Sequence, residues 1–338
     1  MTHILLALLA CNKGTDDSAP VVNVDLDVVT SSERPSKRSE IYGVADETSS
    51  SIVIFGGNDG PIVDQRPTST FRDDTWIFEA GVGWSELAVE GPSARGRYGA
   101  TYDPVNRRAL IFGGRYRVDG GSGDYTLYND LWAFNFADRT WEMLDAGDDA
   151  PRTRYYPSLA FDADTETLYL YGGIISASSM TIQPNAELWK WTAAGGWQEL
   201  DVSGDRPSQR TFLGEAWDPV RKRIVLFHGQ VGDFWSLAYD ETYAVDVTTG
   251  EFVELNDGTG APSTRMHAHA TYDALRDRYL LFGGHTDIGD GNDLWAMDPE
   301  TGAWSEVRPA DTFTGNGLGC LGNGSEVPAD YVDMDVTA

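Results

Sequence analysis

Cysteine, lysine and histidine are all scarce in this sequence, which holds two, four and five of them in 338 residues. The two cysteines, Cys11 and Cys320, stand in no CxxC or other metal-ligand spacing, so neither a disulfide framework nor a zinc site is indicated. Five histidines, one of them His3, leave little material for imidazole chemistry. Positive charge is also short: 25 Lys and Arg face 53 Asp and Glu, a formal net charge of −28. Such a field disfavours nucleic acid and adsorption to an anionic bilayer, and it favours a soluble monomer. Long apolar runs are missing too. The run Ile4–Ala10 is far shorter than the roughly 20 residues needed to span a bilayer.

A repeat is present in abundance. The pairs Gly56-Gly57, Gly113-Gly114, Gly172-Gly173 and Gly283-Gly284 each follow an apolar run, and His228-Gly229 after Ile224–Phe227 supplies a fifth, degenerate copy. Eighteen residues before each pair stands an arginine: Arg38, Arg95, Arg154, Arg210, Arg265. Eight residues after each arginine stands an aspartate: Asp46, Asp103, Asp162, Asp218, Asp273. An acid-x-aromatic signal follows downstream (Asp74/Trp76, Asp130/Trp132, Glu187/Trp189, Glu241/Tyr243, Asp293/Trp295). A second aromatic comes eight or nine residues later: Trp84, Trp141, Trp197, Phe252 and Trp304.

Each unit of 55 to 59 residues holds four strand-like stretches. Strand a runs from the arginine to the aspartate turn, and strand b runs into the glycine pair. Strands c and d carry the first and second aromatics. A lone four-stranded meander cannot bury both faces; copies stacked radially can, which predicts an all-β propeller. Eight of the eleven tryptophans fall at the two aromatic positions and are expected between blades.

These residues closely resemble the kelch repeat: an arginine, a strand ending in Phe-Gly-Gly, then Asn-Asp-Leu-Trp (Asn129–Trp132, Asn292–Trp295) and a lone tryptophan. The resemblance covers Arg38 to about Val307 and implies a β-propeller. It implies no single activity, since kelch propellers include protein-binding modules, sugar-processing enzymes and copper oxidases. The oxidase is set aside, because its copper chemistry needs a cysteine crosslinked to tyrosine and both cysteines lie outside the repeats. Five blades are expected. Val21–Val29 and Tyr331–Val336 are also strand-like and could add a sixth blade, an outer strand, or merely a tether and a tail.

The N-terminus divides further. Residues 1–10 read as a signal segment, and Leu8-Leu9-Ala10-Cys11 resembles the lipobox of bacterial lipoproteins, which implies lipidation at Cys11. Residues 11–33 then form a polar tether, 34–308 the propeller and 309–338 a tail. Membrane contact would come only through the lipid, and the chain would face the periplasm or cell surface.

Connectivity alone selects a binding face. In an antiparallel meander the starts of strands a and c share one side, and the b–c loops arrive there. That side should carry the ring Arg38, Arg95, Arg154, Arg210 and Arg265, which either binds carbonyls and strand-c acids within the blades or attracts an anionic ligand. Two residues after each arginine come Glu40, Arg97, Tyr156, Phe212 and His267, a set too varied for a packing constant. The b–c loops add Tyr116, Trp235 and His285. These residues suit an unidentified protein or glycan partner. No catalytic set stands out, and no cofactor or metal is indicated. His267 and His269 lack a third ligand, and His285–Asp293 lacks EF-hand spacing. A binding module is therefore the first reading, and a carbohydrate-active enzyme of the sialic-acid mutarotase-like kelch type the second.

Overall fold

The structure, a computed structural model, describes residues 33–310 apart from 64–65, 180, 231–238 and 287–288. They form a five-bladed β-propeller of four-stranded antiparallel sheets, with no helix among the described residues. Blade 1 comprises strands a to d at Gly43–Asp46, Ser51–Phe55, Thr75–Glu79 and Gly83–Leu87. Blade 2 follows with Gly99–Asp103, Arg108–Tyr116, Thr126–Asn135 and Thr140–Asp145, and blade 3 with Ser158–Asp162, Thr167–Tyr171, Leu188–Thr192 and Gly196–Leu200. Blade 4 uses Gly214–Asp218, Arg223–Phe227, Thr242–Asp246 and Glu251–Asn256; blade 5 uses His269–Asp273, Arg278–Thr286, Gly289–Met297 and Trp304–Arg308.

Alternation sends one side of each sheet to each neighbour. Val53 and Ile77 of blade 1 pack with Ala109 and Phe134 of blade 2. Leu110 and Phe112 of blade 2 meet Leu159 and Leu168 of blade 3. Tyr169 and Tyr171 of blade 3 meet Ile224 and Leu226 of blade 4, and Val225 and Phe227 of blade 4 meet Tyr279 and Leu281 of blade 5. The core is thus a series of interfaces between blades.

In blades 2 to 5 the strand-d aromatic keys the blade onto the one before it. Trp141 lies 5.2 Å from Phe55, Trp197 5.0 Å from Phe112, Phe252 5.6 Å from Tyr171 and Trp304 5.8 Å from Phe227. Aromatic pairs of this kind add about 0.5–1.5 kcal/mol each beyond the area they bury. The repeated aspartates close the a–b turns and also tie blades together. Asp103 Oδ1 accepts from the Val105 and Asn106 amides, both at 3.0 Å. Asp46 accepts from Arg107 of blade 2 and Asp162 from Lys222 of blade 4, each at 2.6 Å.

The glycine pair behaves differently from the expectation that it ends strand b. In blades 2 and 5 the strand continues through it, to Tyr116 and Thr286, over a bulge between Phe112 and Gly114 and another between Phe282 and Gly284. The pair is needed for close approach. Gly113 sits at φ 67°, and a Cβ there would lie 2.6 Å from the Arg154 carbonyl oxygen of the next blade.

Candidate functional site

Strands a surround the central channel, and their leading residues meet the b–c loops at one end, as connectivity predicts. Isolated bridges join Ser39 to Asn58, Gly96 to Arg115, Tyr155 to Ile174 and Thr211 to Gln230, each pairing the approach to strand a with the exit of strand b.

The five repeated arginines do not present a ring to a ligand. Their side chains are only 0–4% exposed and are spent on architecture. Arg95 shows the pattern. Its Nε donates to Ser93 O at 2.9 Å and Nη1 to Gly113 O at 3.1 Å. Nη1 and Nη2 together grip the Asp130 carboxylate, which also accepts from Trp132 Nε1 at 2.8 Å. Arg38, Arg154, Arg210 and Arg265 repeat it with Asp74, Glu187, Glu241 and Asp293. The guanidinium forks satisfy the carbonyl of the first residue of each pair, where strand b ends or bulges, so the anion-attracting alternative is corrected.

The position two residues later forms the channel mouth. Glu40, Arg97, Tyr156, Phe212 and His267 all lie at φ between 54° and 65°, a region bulky side chains avoid. Backbone amides carry the collar from blade to blade: Arg97 N–H to Glu40 O at 2.8 Å, Tyr156 N–H to Arg97 O at 2.6 Å, and His267 N–H to Phe212 O at 2.9 Å. Glycine would fit this backbone at lower cost. Five large side chains stand there instead, each at a cost of about 1–3 kcal/mol.

Those side chains interlock over the channel. Glu40 pairs with Arg97 at 3.1 Å and accepts from Arg115 Nη2 at 2.7 Å. Burial opposes ionisation of Glu40, yet the two guanidiniums outweigh it and hold its carboxyl below the usual range. Arg97 sits 4.7 Å over the Tyr156 ring, and Tyr156, Phe212 and His267 form an aromatic trio with centroids 4.4–5.6 Å apart. Arg115, which the sequence reading did not single out, connects the collar to the loops. It stacks 4.1 Å from the Tyr125 centroid and 5.1 Å from that of Tyr155. Its only sequence signal was its place immediately after the glycine pair.

Around the collar, the b–c loops of blades 1 to 3 are stitched together. Tyr116 packs 6.0 Å from Phe71, and Arg117 Nε donates to Ser69 Oγ at 2.8 Å. The Tyr125 amide donates to Ala177 O at 2.8 Å. The blade 2 loop stands out because its ribbon is long, and it presents Val118 at 62% exposure. His285 lies in strand b of blade 5. Trp235 and Cys11 lie outside the described residues.

Below the collar is a lumen of about 330 Å³ lined from all five blades, including Tyr42, Ala100, Ser158, Glu215 and His269. His267 and His269 are exposed, but to this lumen rather than to bulk solvent. Burial, aided by Arg97, lowers His267 to about 3, and burial alone lowers His269, so both imidazoles are neutral at pH 7. Burial raises Glu215 to about 8. Sequence inspection did not find Glu215, which occupies an ordinary strand position.

The family model describing the KLHDC2/KLHL20/DRC7 kelch-repeats domain matches residues 25–192 and 165–315. The chain is similar to Kelch domain-containing protein 10 of Homo sapiens, 26% identical over 230 residues, covering 64% of this chain and 48% of that protein. It is similar to Kelch domain-containing protein 2 of Bos taurus, 24% identical over 262 residues, covering 70% and 62%. A third relative is the Leucine-zipper-like transcriptional regulator 1 homolog of Drosophila melanogaster, 24% identical over 265 residues, covering 76% and 25%. The chain spans less than two thirds of the length of each of these relatives.

Proposed function

Because the chain belongs to the kelch-repeat family, whose propeller it shares, we propose that it is a protein-binding module that grips its partner at the collar and the blade 2 ribbon. The observation that carries this reading is the collar backbone. Five strained positions hold Glu, Arg, Tyr, Phe and His where glycine would cost less, and all five meet at one mouth. Strain of this kind is kept where the side chains are used. Arg115 couples that mouth to Tyr125 and the ribbon whose tip exposes Val118. An apolar tip rimmed by Arg117 and Asp119 has the composition of a protein contact. A glycan is the second partner class, supported by the aromatic trio beside the charged pair Glu40 and Arg97.

The reading is tested by affinity capture from extracts of the source organism. The bait is the wild-type chain, Val118→Asp with Tyr116→Ala, or Leu275→Asp, the last at a site 70% exposed on the opposite face. Partner capture should fall at least tenfold with the first variant, equivalent to about 1.4 kcal/mol or more. Loss confined to Leu275→Asp would move the site to the other face. The cellular setting that accompanies this proposal is export with a lipid on Cys11, read from the N-terminal residues.

A further inference from the structure

The lumen beneath the collar holds a carboxyl that no other described residue answers. Glu215 of blade 4 is half-buried and lines the lumen, and among the described residues it makes no hydrogen bond or ion pair. The other acids near the mouth are committed. Asp74, Asp130, Glu187, Glu241 and Asp293 hold the blade arginines, and Glu40 holds Arg97 and Arg115. Tyr42 of blade 1 is close enough for Glu215 to act on it electrostatically, and Tyr156 acts on Tyr42 in the same way. Neither of these tyrosine hydroxyls has a hydrogen-bond partner among the described residues. A carboxyl and two phenol oxygens therefore stand ready to accept.

The lining charges select the sign of a ligand. The described lining acids are Glu40 and Glu215, and the one guanidinium, Arg210, is spent on Glu241 and the His228 carbonyl. His267 and His269 are neutral, since burial lowers both and Arg97 aids it at His267. An entering cation meets a carboxyl without a counter-ion, whereas an anion meets the same carboxyl and no free positive charge.

The walls select its kind. Tyr42, Tyr156, Tyr171 and Phe212 line the space, and the negative face of such rings attracts a cation within about 6 Å of the centroid. Among the described residues no three His, Cys, Asp or Glu are grouped to hold a metal ion, so an organic cation fits better. The volume of about 330 Å³ lies at the lower end of the range of small-molecule sites, about 300–1,000 Å³. An alkylammonium head has three donors and no acceptor, which matches one carboxylate and two phenol oxygens.

We propose that the lumen is a binding site for an alkylammonium group, which pairs with the Glu215 carboxylate between the rings of Tyr42 and Tyr156. The group belongs either to a free small amine or to a lysine side chain that a bound partner threads through the mouth. The site does not rest on the protein contact at the blade 2 ribbon.

Binding is coupled to a proton. Glu215, raised to about 8 by burial, keeps its proton at pH 7 in the empty lumen and releases it to pair with the ammonium. Glu40 stays ionised under its two guanidiniums, and burial raises Tyr42, Tyr156 and Tyr171, so Glu215 is the lining group that titrates between about pH 6 and 9. Affinity rises as that proton leaves.

Isothermal titration calorimetry with n-butylammonium chloride tests this. The probe carries the four-carbon stem and ammonium of lysine and stays charged to about pH 9. Its affinity for the wild-type chain should rise nearly ~10-fold from pH 6 to 7 and level off above pH 8. Heats in two buffers of different ionisation enthalpy should report release of about one proton at pH 7. Glu215→Gln should bind at least ~10-fold more weakly and without the pH dependence, and Tyr42→Leu should bind several-fold more weakly. A cooperative thermal melt checks that each variant is folded. A wild type that ignores millimolar n-butylammonium at pH 8, or a folded Glu215→Gln that binds it equally well, overturns the proposal. N-acetyl-lysine methylamide separates the two sources: binding at least as tight as the probe assigns the site to a partner's lysine, and weaker binding assigns it to a free amine. Failure here leaves partner capture through Val118 and Tyr116 unaffected, so the two readings fail separately.

Discussion

Replacing Arg95 by methionine should show how much one architectural arginine is worth. Methionine keeps most of the buried stem and removes the guanidinium fork, so the change isolates the charge and its hydrogen bonds. Arg95 is 1% exposed at the side chain and Asp130 is 18% exposed. The variant strands Gly113 O and leaves the Asp130 carboxylate with only the Trp132 indole of its three side-chain donors. It also removes the guanidinium stacked 3.9 Å from the Tyr128 centroid. Removing one partner of a buried ion pair costs about 3–5 kcal/mol. The residual water access of Asp130 places this pair near the lower end, at about 3 kcal/mol. The contrast is Arg139→Met, whose partner Glu79 lies 2.6 Å away with the two side chains 44% and 27% exposed. An exposed pair of that kind is worth about 0.2–1 kcal/mol. Urea unfolding followed by tryptophan fluorescence, with equal m values required, gives both differences. Should Arg95→Met lie within 1 kcal/mol of wild type, or match Arg139→Met, the architectural role assigned to the five arginines would be wrong.

Glu215 should make stability fall as pH rises. Burial raises its folded pKa to about 8, whereas the unfolded carboxyl titrates near the ordinary 4.3. Between those values the native state binds more protons than the unfolded one, so the stabilisation is complete below about pH 4 and lost by about pH 8. Glu215 is only half-buried by accessible surface, which reduces the effect and leaves on the order of 2 kcal/mol by which Glu215→Gln should gain on wild type between pH 5 and 8. A difference between the two proteins that does not change with pH would refute this. If the proposed lipid is carried on Cys11, Cys11→Ser should move the protein from the membrane fraction to the soluble fraction, and unchanged fractionation would exclude lipidation at that position.

The repeat was legible in the sequence because it is enforced by local necessity at every turn. Asp103 and Asp218 must cap their own turns, Gly113 must let Arg154 approach, and the strand-d aromatics of blades 2 to 5 must fill the same gap. Requirements met within one blade, or between a blade and its neighbour, leave a residue type at a fixed spacing. That is why fold class, strand order and the face of the b–c loops could be read before any coordinates. The blade 2 and blade 5 strands overran the glycine pair because a bulge lets a ladder resume beyond it, and bulges leave no composition signal.

The site was legible only in part. Sequence placed Glu40, Arg97, Tyr156, Phe212 and His267 at the mouth, since their variability against a constant background marked them. It left the role of the arginine ring open between architecture and ligand, because an arginine's chemistry is the same whether it meets a carbonyl or a partner's carboxylate. Burial decided that question, and burial is a property of the closed ring. Arg115 bridging Glu40 and Tyr125, and Glu215 desolvated in the lumen, depend on residues tens of positions apart brought around one axis. The sequence by itself determined the blade, because the blade is a short-range solution to backbone pairing and turn geometry. Only the tertiary structure decided which charges are spent within the ring and which gather at the channel mouth, because that is set by what the other blades place beside them.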